Sequence, residues 1–337
     1  MGDIVINQMK KNMNKKVYWS PSVFWETLDN KLKIEMFLYD EFAMNLFPKF
    51  FFLTQKGIEI NNLLNEFPEV DQRRLNLLIK DLIKKRILIS NILTPQEVFF
   101  PQSRLFETEY GDELLYDADA LKEFKKKQLN RSFEVGIDKK IYFNDNFQFP
   151  ENIADRKSYR KFDEKNKISF DDFSKMISVF KQIKSQNEIR YYYASAGGLY
   201  PIDVFLYIKK DRIENINQGI YYYNPSENCI QLVNESSIIS EEAHLFLNKD
   251  IFKSSAFSVY LIYNADANMS KYKSDGYFYA CLDAGIMISA LTQAAELFNI
   301  GLCSIGEMSF RKIEKYFKLN ERQVYLHTIE GGLKPLE

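Results

Sequence analysis

The chain has 337 residues, 46% of them hydrophobic, which is enough for one large domain or two modest ones around a sizeable core. Its 45 Lys and Arg against 46 Asp and Glu leave a net charge of -1, which argues against a nucleic-acid binder working by bulk electrostatics. No uninterrupted apolar run is long enough to span a bilayer. The start, MGDIVINQMKKNMNKKVYW, carries positive charge with no apolar core behind it and no Ser or Thr of a myristoylation signal, so neither membrane nor secretory targeting is expected.

Residues 1–16 read as a basic tail. From Val17 to about Leu53, the runs VYWSPSVFWETL, KIEMFLYDEFAMNLF and KFFFLT read as strands broken by Pro, Asp and Asn. Two helices follow. GIEINNLLNEF has Ile58, Ile60, Leu63, Leu64 and Phe67 as its apolar set. VDQRRLNLLIKDLIKKRIL has Leu75, Leu78, Ile79, Leu82 and Ile83 at helical spacing, with Asp71 as the expected N-cap. Strands, then helix, turn, helix and the short apolar end Ile87-Leu88-Ile89 suggest a winged-helix-like module over 17–90. Its pattern resembles the peptide-recognition elements of enzymes that tailor ribosomal peptides, which add an unstructured leader to a sheet edge. A structural cap on the second domain is an equally good reading. Acidic Glu66, Glu69, Asp71 and Asp81 among its basic residues disfavour DNA binding.

Residues 91–149 read as a connector punctuated by Pro95 and Pro101. ADALKEFKKKQLNRSF is the helix expected there, with Ala118, Leu121 and Phe124 on one face. From Pro150 the character changes. Arg156, Lys157, Arg160 and Lys161 cluster around Ser158. Arg156 and Arg160 are four apart and would project side by side on a helical turn. Two guanidinium forks with a hydroxyl between them suit a phosphate. As an isolated signal this is weak, because exposed basic clusters are common. A helix is expected after Ser169, with Phe173, Met176, Ile177 and Phe180 on one face.

The stretch Tyr191–Ile208 places Ala194-Ser195-Ala196-Gly197-Gly198 between aromatic runs and ahead of the buried strand Val204–Ile208. Consecutive small residues let a backbone approach something flat or charged, and a plain tight turn is the bland alternative. GIYYYNPSENCIQLV reads as a hairpin, Ser240–Asn248 as a helix and SAFSVYLIYNAD as a buried strand. The run SKYKSDGYFYACLDAGIMISALTQAAELFNIG leads into a long central buried helix with Gly301 as its C-cap. A helix around Arg311–Phe317 and a last strand, VYLHTIEGGLKP, end the chain.

The 28 Phe and 21 Tyr suit large cores and flat ligands. Cys229, Cys281 and Cys303 lack metal-type spacing, and an odd, sparse count fits a reducing cytoplasm. With only His244 and His327 besides, no metal site is expected.

RKSYRKF, YASAGGLYP, SKYKSDGYFYACLDAG, GLCSIG and HTIEGGLKP occur in this order. Together they resemble the nitroreductase-fold flavoproteins, and among them the SagB-type dehydrogenases, which include the azoline oxidases that form thiazoles and oxazoles in ribosomal peptides. The likeness runs from about Pro150 to the C-terminus. It implies an α+β fold over 150–337, with a helix-flanked central sheet and FMN held between the subunits of a homodimer. It also implies a cyclodehydratase partner and a precursor-peptide substrate.

Residue by residue, the resemblance puts Arg156 and Arg160 on the FMN phosphate and Ser158 near the ribityl chain. Ser195, Ala196, Gly197 and Gly198 would lie against the isoalloxazine. Gly306, with Ile305 and Glu307, would face its N5/O4 edge, and Lys334 would add charge near the phosphate. Lys271-Tyr272 matches the pair implicated in azoline oxidation. Tyrosine, with an ordinary pKa of ~10, is a poor base at neutral pH, and a neighbouring ammonium favours its phenolate. An exposed charged loop is the bland reading of Ser270–Ser274. The chain also departs from the pattern. Relatives continue Glu-Ala-Gly-His and then Gln-Asn, where this sequence has Asp283-Ala284-Gly285-Ile286 and then Ser289-Ala290. The competing readings are an NAD(P)H-dependent flavin reductase of dehydroamino acids or nitro compounds, and a peptide-binding scaffold with a decayed flavin site.

Overall fold

The computed structural model describes residues 14–105, 113–132, 140–143, 146–186, 188–235, 239–246, 248–306 and 308–335; most of the basic tail and Glu307 lie outside them. A sheet-rich module comes first. Strand β1 (Lys16–Trp19) alternates exposed and buried residues, as one face of a strand over a core requires. β2 (Trp25–Leu28), β3 (Lys31–Ile34) and β4 (Phe37–Tyr39) form an antiparallel meander.

The next stretch corrects the strand reading, because Glu41–Gln55 is a helix, α1. Asp40 caps it by accepting from Ala43 N at 3.2 Å. Ala43, Leu46, Phe47, Phe50 and Thr54 then fall on one buried stripe. The aromatic run had masked that periodicity. β5 (Ile58–Glu59) and α2 (Ile60–Asn65) follow, and then α3 (Gln72–Lys84), capped by Asp71 as expected through the N–H groups of Arg73 and Arg74. β6 (Leu88–Ile89) closes the module by pairing with β1, whose first residues pair with β5.

Three helices lead onward: α4 (Pro95–Leu105), α5 (Glu113–Tyr116) and α6 (Ala118–Leu129). The expected helix α6 forms, but none of its residues is buried. Glu97 of α4 ties the two halves of the chain together. Its carboxylate takes a fork from Arg86, with Nη2 at 2.7 Å, and a third contact from Arg311 of the C-terminal part. Burial alone would raise this carboxyl, but the Arg86 fork, the Thr94 N–H and Arg311 outweigh it and hold it below its ordinary value of 4.5. A depressed carboxyl stabilises the fold above that ordinary value and loses the stabilisation as pH falls through the folded value. The Glu97→Gln variant is therefore expected to show a shallower fall in melting temperature between about pH 5 and pH 3 than the parent chain. An identical fall would mean that Glu97 is not the titrating contact.

The C-terminal part begins with α7 (Glu151–Ala154), α8 (Phe170–Ile177) and the small hairpin β7 (Ile183–Lys184) and β8 (Ile189–Arg190). Ser169 caps α8, and Phe173, Met176 and Ile177 are buried as the sequence spacing predicts. The central sheet comprises β9 (Ile202–Ile208), β10 (Gly219–Asn224), β11 (Cys229–Asn234), β12 (Phe257–Asn264), β13 (Ile300–Ile305) and β14 (Gln323–Leu333). Its antiparallel order is β11-β10-β9-β12-β14-β13. The expected hairpin is there, with Asn224 opposite Cys229. Between these strands lie α9 (Asn248–Ser254), α10 (Met269–Tyr272) and α11 (Asp275–Glu296).

Leu206, Ile208, Val259 and Leu261 face Met287 and Leu291 of α11 on one side of the sheet. Phe205, Tyr207, Tyr260 and Ile262 meet Phe252, Phe310 and Phe317 on the other. Each such buried side chain contributes ~1.5–3 kcal/mol.

Four sequence readings change here. Ser240–Asn248 is not one helix. Ser240 caps a single 3-10 turn, Glu241–Ala243, and His244 then bridges Met308, which draws the chain out straight. The segment around Arg311–Phe317 forms two short 3-10 turns. Gly301 is not the cap of α11, which ends at Glu296; it lies in β13, where a Cβ would come within 2.6 Å of the Tyr159 ring. And α11, long and apolar enough to cross a membrane by length and composition, is a core helix with one side open: Phe278, Leu282 and Ile286 are exposed.

Candidate functional site

The loop ahead of β9 is built around a buried acid. Asp283, 3% exposed in the middle of α11, accepts from Ser195 Oγ at 2.6 Å and from Ala196 N at 3.2 Å. Ser195 Oγ in turn accepts from Tyr200 N at 2.9 Å, so one hydroxyl closes both ends of the bend. Ala196–Gly198 is a single 3-10 turn in which Gly197 and Gly198 take φ of 64° and 67°. L-residues with a side chain rarely adopt that region, so the glycines make this turn cheap. Tyr191 and Tyr193 pack on Tyr200 beside the loop, the Tyr191 and Tyr200 centroids 3.9 Å apart. Burial raises both the Tyr191 and Tyr193 phenols, so they serve as neutral walls.

The second part comes from α10. Lys271 N and Tyr272 N donate to Asn268 O at 3.1 and 2.9 Å. Asn268 is itself fully buried. Its Oδ1 accepts from Tyr263 Oη at 2.7 Å and its Nδ2 donates to Gly276 O at 2.9 Å, which fixes α10 against the start of α11. The result is a close approach to the glycine loop. A Cβ on Gly197 would lie 2.3 Å from Tyr272 Oη and 2.9 Å from Lys271 Nζ. Lys271 Nζ stands 4.9 Å from the centroid of the Tyr272 ring, and Tyr279 meets that ring edge-on at 5.1 Å. Lys271, Tyr272 and Ser195–Gly198 are thus one constellation, separated by more than seventy residues of chain.

The basic set forms a second cluster. The segment Arg156–Tyr159 is not helical, so the side-by-side projection expected of Arg156 and Arg160 on a helical turn does not occur. Tyr159 N instead donates to Leu302 O of β13 at 3.0 Å, and the Tyr159 ring fills the space that Gly301 leaves. Arg156, Ser158 and Arg160 are exposed, and among the described residues none of their side chains has a hydrogen-bond or ion-pair partner.

Lys334 lies beside this cluster, 5.4 Å from the Tyr159 centroid, but its Nζ is engaged by Glu296 at 2.6 Å. Burial would lower this amine; the Glu296 contact outweighs it and raises it. Its charge is therefore matched before any ligand arrives. Gly306 follows β13 in an exposed position where a Cβ would meet nothing within 4 Å. No hydrogen bond or ring contact joins the two clusters among the described residues.

The arrangement suits a planar group with an anionic tail. Three unpaired donors stand in one short segment, and the main chain is bare at Gly198 and Gly306. Asp283 and Asn268 were given no role by sequence reasoning. An acid inside ACLDAGIM, surrounded by apolar residues on a core helix, was the available signal for the first. Nothing local marked Asn268.

Comparison with known proteins bears on the fold and the family. In fold, the chain is similar to a chain of the E. coli microcin synthetase McbBCD complex with truncated pro-MccB17 bound. The TM-score is 0.56 at 19% identity, over 81% of this chain and 96% of that one. A Ralstonia eutropha protein described as a nitroreductase matches with TM-score 0.45 and 15% identity, over 58% of this chain and 89% of that one. No curated protein sequence matches the chain. The model of the nitroreductase family matches residues 153–332, a span that takes in the basic segment, the glycine loop, the Lys-Tyr pair and all six strands of the central sheet, and the chain belongs to that family of oxidoreductases.

Proposed function

We propose that the chain is an FMN-dependent dehydrogenase that oxidises azoline rings of a ribosomal peptide to azoles, in the cytoplasm and beside a cyclodehydratase that makes the azolines. The observation that carries this reading is the meeting of Lys271 Nζ and Tyr272 Oη at Gly197. It sets an acid–base pair against the loop that the resemblance assigns to the flavin ring. The likeness to a chain of a microcin synthetase complex, with its bound pro-MccB17, favours a peptide substrate.

Bound FMN would supply the two-electron acceptor. Arg156 and Arg160 would hold its phosphate, with Ser158 donating beside them. The main-chain N–H groups of Gly197 and Gly306 would meet the ring system, since those of Ala196 and Gly198 are already bonded to Asp283 and Ser195, and Lys334 would brace Tyr159 from its pair with Glu296. Tyr272 Oη takes the Cα proton of the azoline, and the Lys271 ammonium stabilises the phenolate that does so. The ring gives up two hydrogens in all, one of them as that proton.

The test against a reductase is anaerobic mixing of the FMN-loaded chain with NADPH and with NADH. The yellow colour is expected to persist on the timescale of azoline turnover, whereas rapid bleaching by either donor would favour the NAD(P)H-dependent reading. Arg156→Ala is expected to weaken FMN retention by about 10- to 100-fold, the worth of one charge-assisted contact. Full occupancy in that variant would remove Arg156 from the phosphate site.

Two partners belong to the same proposal. The exposed stripe Phe278, Leu282 and Ile286, at i, i+4 and i+8 on α11, suits a second copy of the chain. Light scattering should then give the mass of a dimer, and a monomer at micromolar concentration would reject it. The module over 17–90 is proposed to hold the leader of the precursor.

A further inference from the structure

A cleft of about 750 Å³ opens between the N-terminal module and the C-terminal sheet, lined from the first by Arg86 and Glu97 and from the second by Gly306, Phe310 and Arg311, with Arg311 bonded across to Glu97. Its volume lies within the range of ligand sites, ~300–1,000 Å³. Its floor is β14. That strand pairs with β12 from Gln323 opposite Asn264 to Gly331 opposite Phe257, with a bulge at Leu326. Its other neighbour, β13, is shorter. The β13 pairing runs only from Leu333 to Thr328, where Ile305 ends the strand. Among the described residues the outer edge of Gln323–His327 therefore has no strand beside it, and these five residues line the cleft. Among the described residues, no backbone hydrogen bond from outside β12 reaches Val324–His327. His327 also carries a buried ring Nε2 with no partner.

An open strand edge is a template for another strand. Here it lies inside a cleft rather than at a surface that has to be protected from aggregation. The charge around it is balanced: Lys85, Arg86 and Arg311 against Glu35, Glu97 and Glu314. A balanced lining does not select a charged ligand, but it suits recognition through the main chain.

We propose that the cleft binds the substrate as an extended peptide that adds a strand to the Gln323–His327 edge of β14, in line with β13, so that one end abuts Gly306. This rests on the reading of Gly306 as the residue at the flavin edge. It explains how one site accepts successive rings of a peptide: the main chain is gripped, and side chains and heterocycles are presented at the end of the added strand. It also separates two tasks, with the module holding a leader and the cleft holding the region to be modified.

The probe is an acetylated, amidated heptapeptide of alternating threonine and valine with one central thiazole, a stable product-like ring. Hydrogen–deuterium exchange is measured on the full chain with and without it. The expected result is slowed exchange at the amides of 323–327. An analogue N-methylated at alternate amides on one edge should bind about tenfold more weakly. Ser309→Trp, which narrows the cleft, should weaken the parent peptide as well. Protection confined to the Trp25–Leu28 edge of the module, no protection anywhere, or equal binding of the methylated peptide would each overturn the proposal. Flavin content is read separately from absorbance. A chain that binds the peptide at 323–327 but holds no FMN would keep this inference and reject the dehydrogenase.

Discussion

Tyr272→Phe is expected to retain FMN and to lose azoline oxidation by about 10²- to 10⁴-fold, the range in which a positioned proton acceptor contributes. The ring keeps its edge contact with Tyr279, and the main-chain bond from residue 272 to Asn268 is untouched, so the fold has no reason to change. What disappears is the oxygen that stands against Gly197 with the Lys271 amine beside it. Lys271→Met tests the other half of the pair. It should slow azoline oxidation while FMN is retained, because the amine 4.9 Å from the Tyr272 ring is lost. Turnover of the Phe variant at the parent rate would place the base elsewhere in the molecule.

Asp283→Ala is expected to have the second large effect, on the glycine loop. It removes the acceptor for Ser195 Oγ and for Ala196 N, both half-buried, and leaves the Tyr200 N–H to Ser195 Oγ and Gly198 N–H to Ser195 O bonds to close the bend. Each lost bond to a charged acceptor is worth ~1.5–3 kcal/mol, partly offset because a buried charge is no longer desolvated. A net loss of about 2 kcal/mol in stability is expected, together with loss of flavin retention. Asp283→Asn is the control. Its amide oxygen still accepts from Ala196 N and its amide nitrogen donates to Ser195 Oγ, so loop and flavin should be kept. If Ala and Asn lose flavin equally, the charge rather than the clamp matters; if neither does, the loop is held by its tyrosine walls.

The two cases differ in how far they were visible in the amino-acid sequence. Lys271, Tyr272 and Ser195–Gly198 were each legible as motifs, and Gly197 as a place where bulk is excluded. Their meeting was not, because it depends on Asn268, a polar residue whose buried bonds to Tyr263 and Gly276 have no periodic signature. Five of the six strands of the C-terminal sheet were readable as short apolar runs between turn residues, whereas β13 was hidden by the reading of Gly301 as a helix cap. Helix α1 was not, since FPKFFFLT carries the composition of a strand and the decisive residue, Asp40, acts through one capping bond. The four-residue spacing of Arg156 and Arg160 suggested a helix for a similar reason: spacing is a local cue. The segment obeys a tertiary one, the bond from Tyr159 N to Leu302 O. Gly301, read as a stop signal, is a seat for the Tyr159 ring.

The departure at Ile286 also takes on a place in the fold. Ile286 belongs to the open stripe of α11, and Asp283, one turn earlier, faces inward to the loop. Ile286 therefore lies on the face proposed for a second copy of the chain, while the acid of the same motif keeps a structural task.

The central claim is the direction of the chemistry, and the mass of the peptide decides it. A peptide carrying a single thiazoline, incubated in air with the FMN-loaded chain, is expected to lose two hydrogens from that ring. A gain of two hydrogens with NADPH present, or an unchanged mass at full flavin occupancy, would contradict the account.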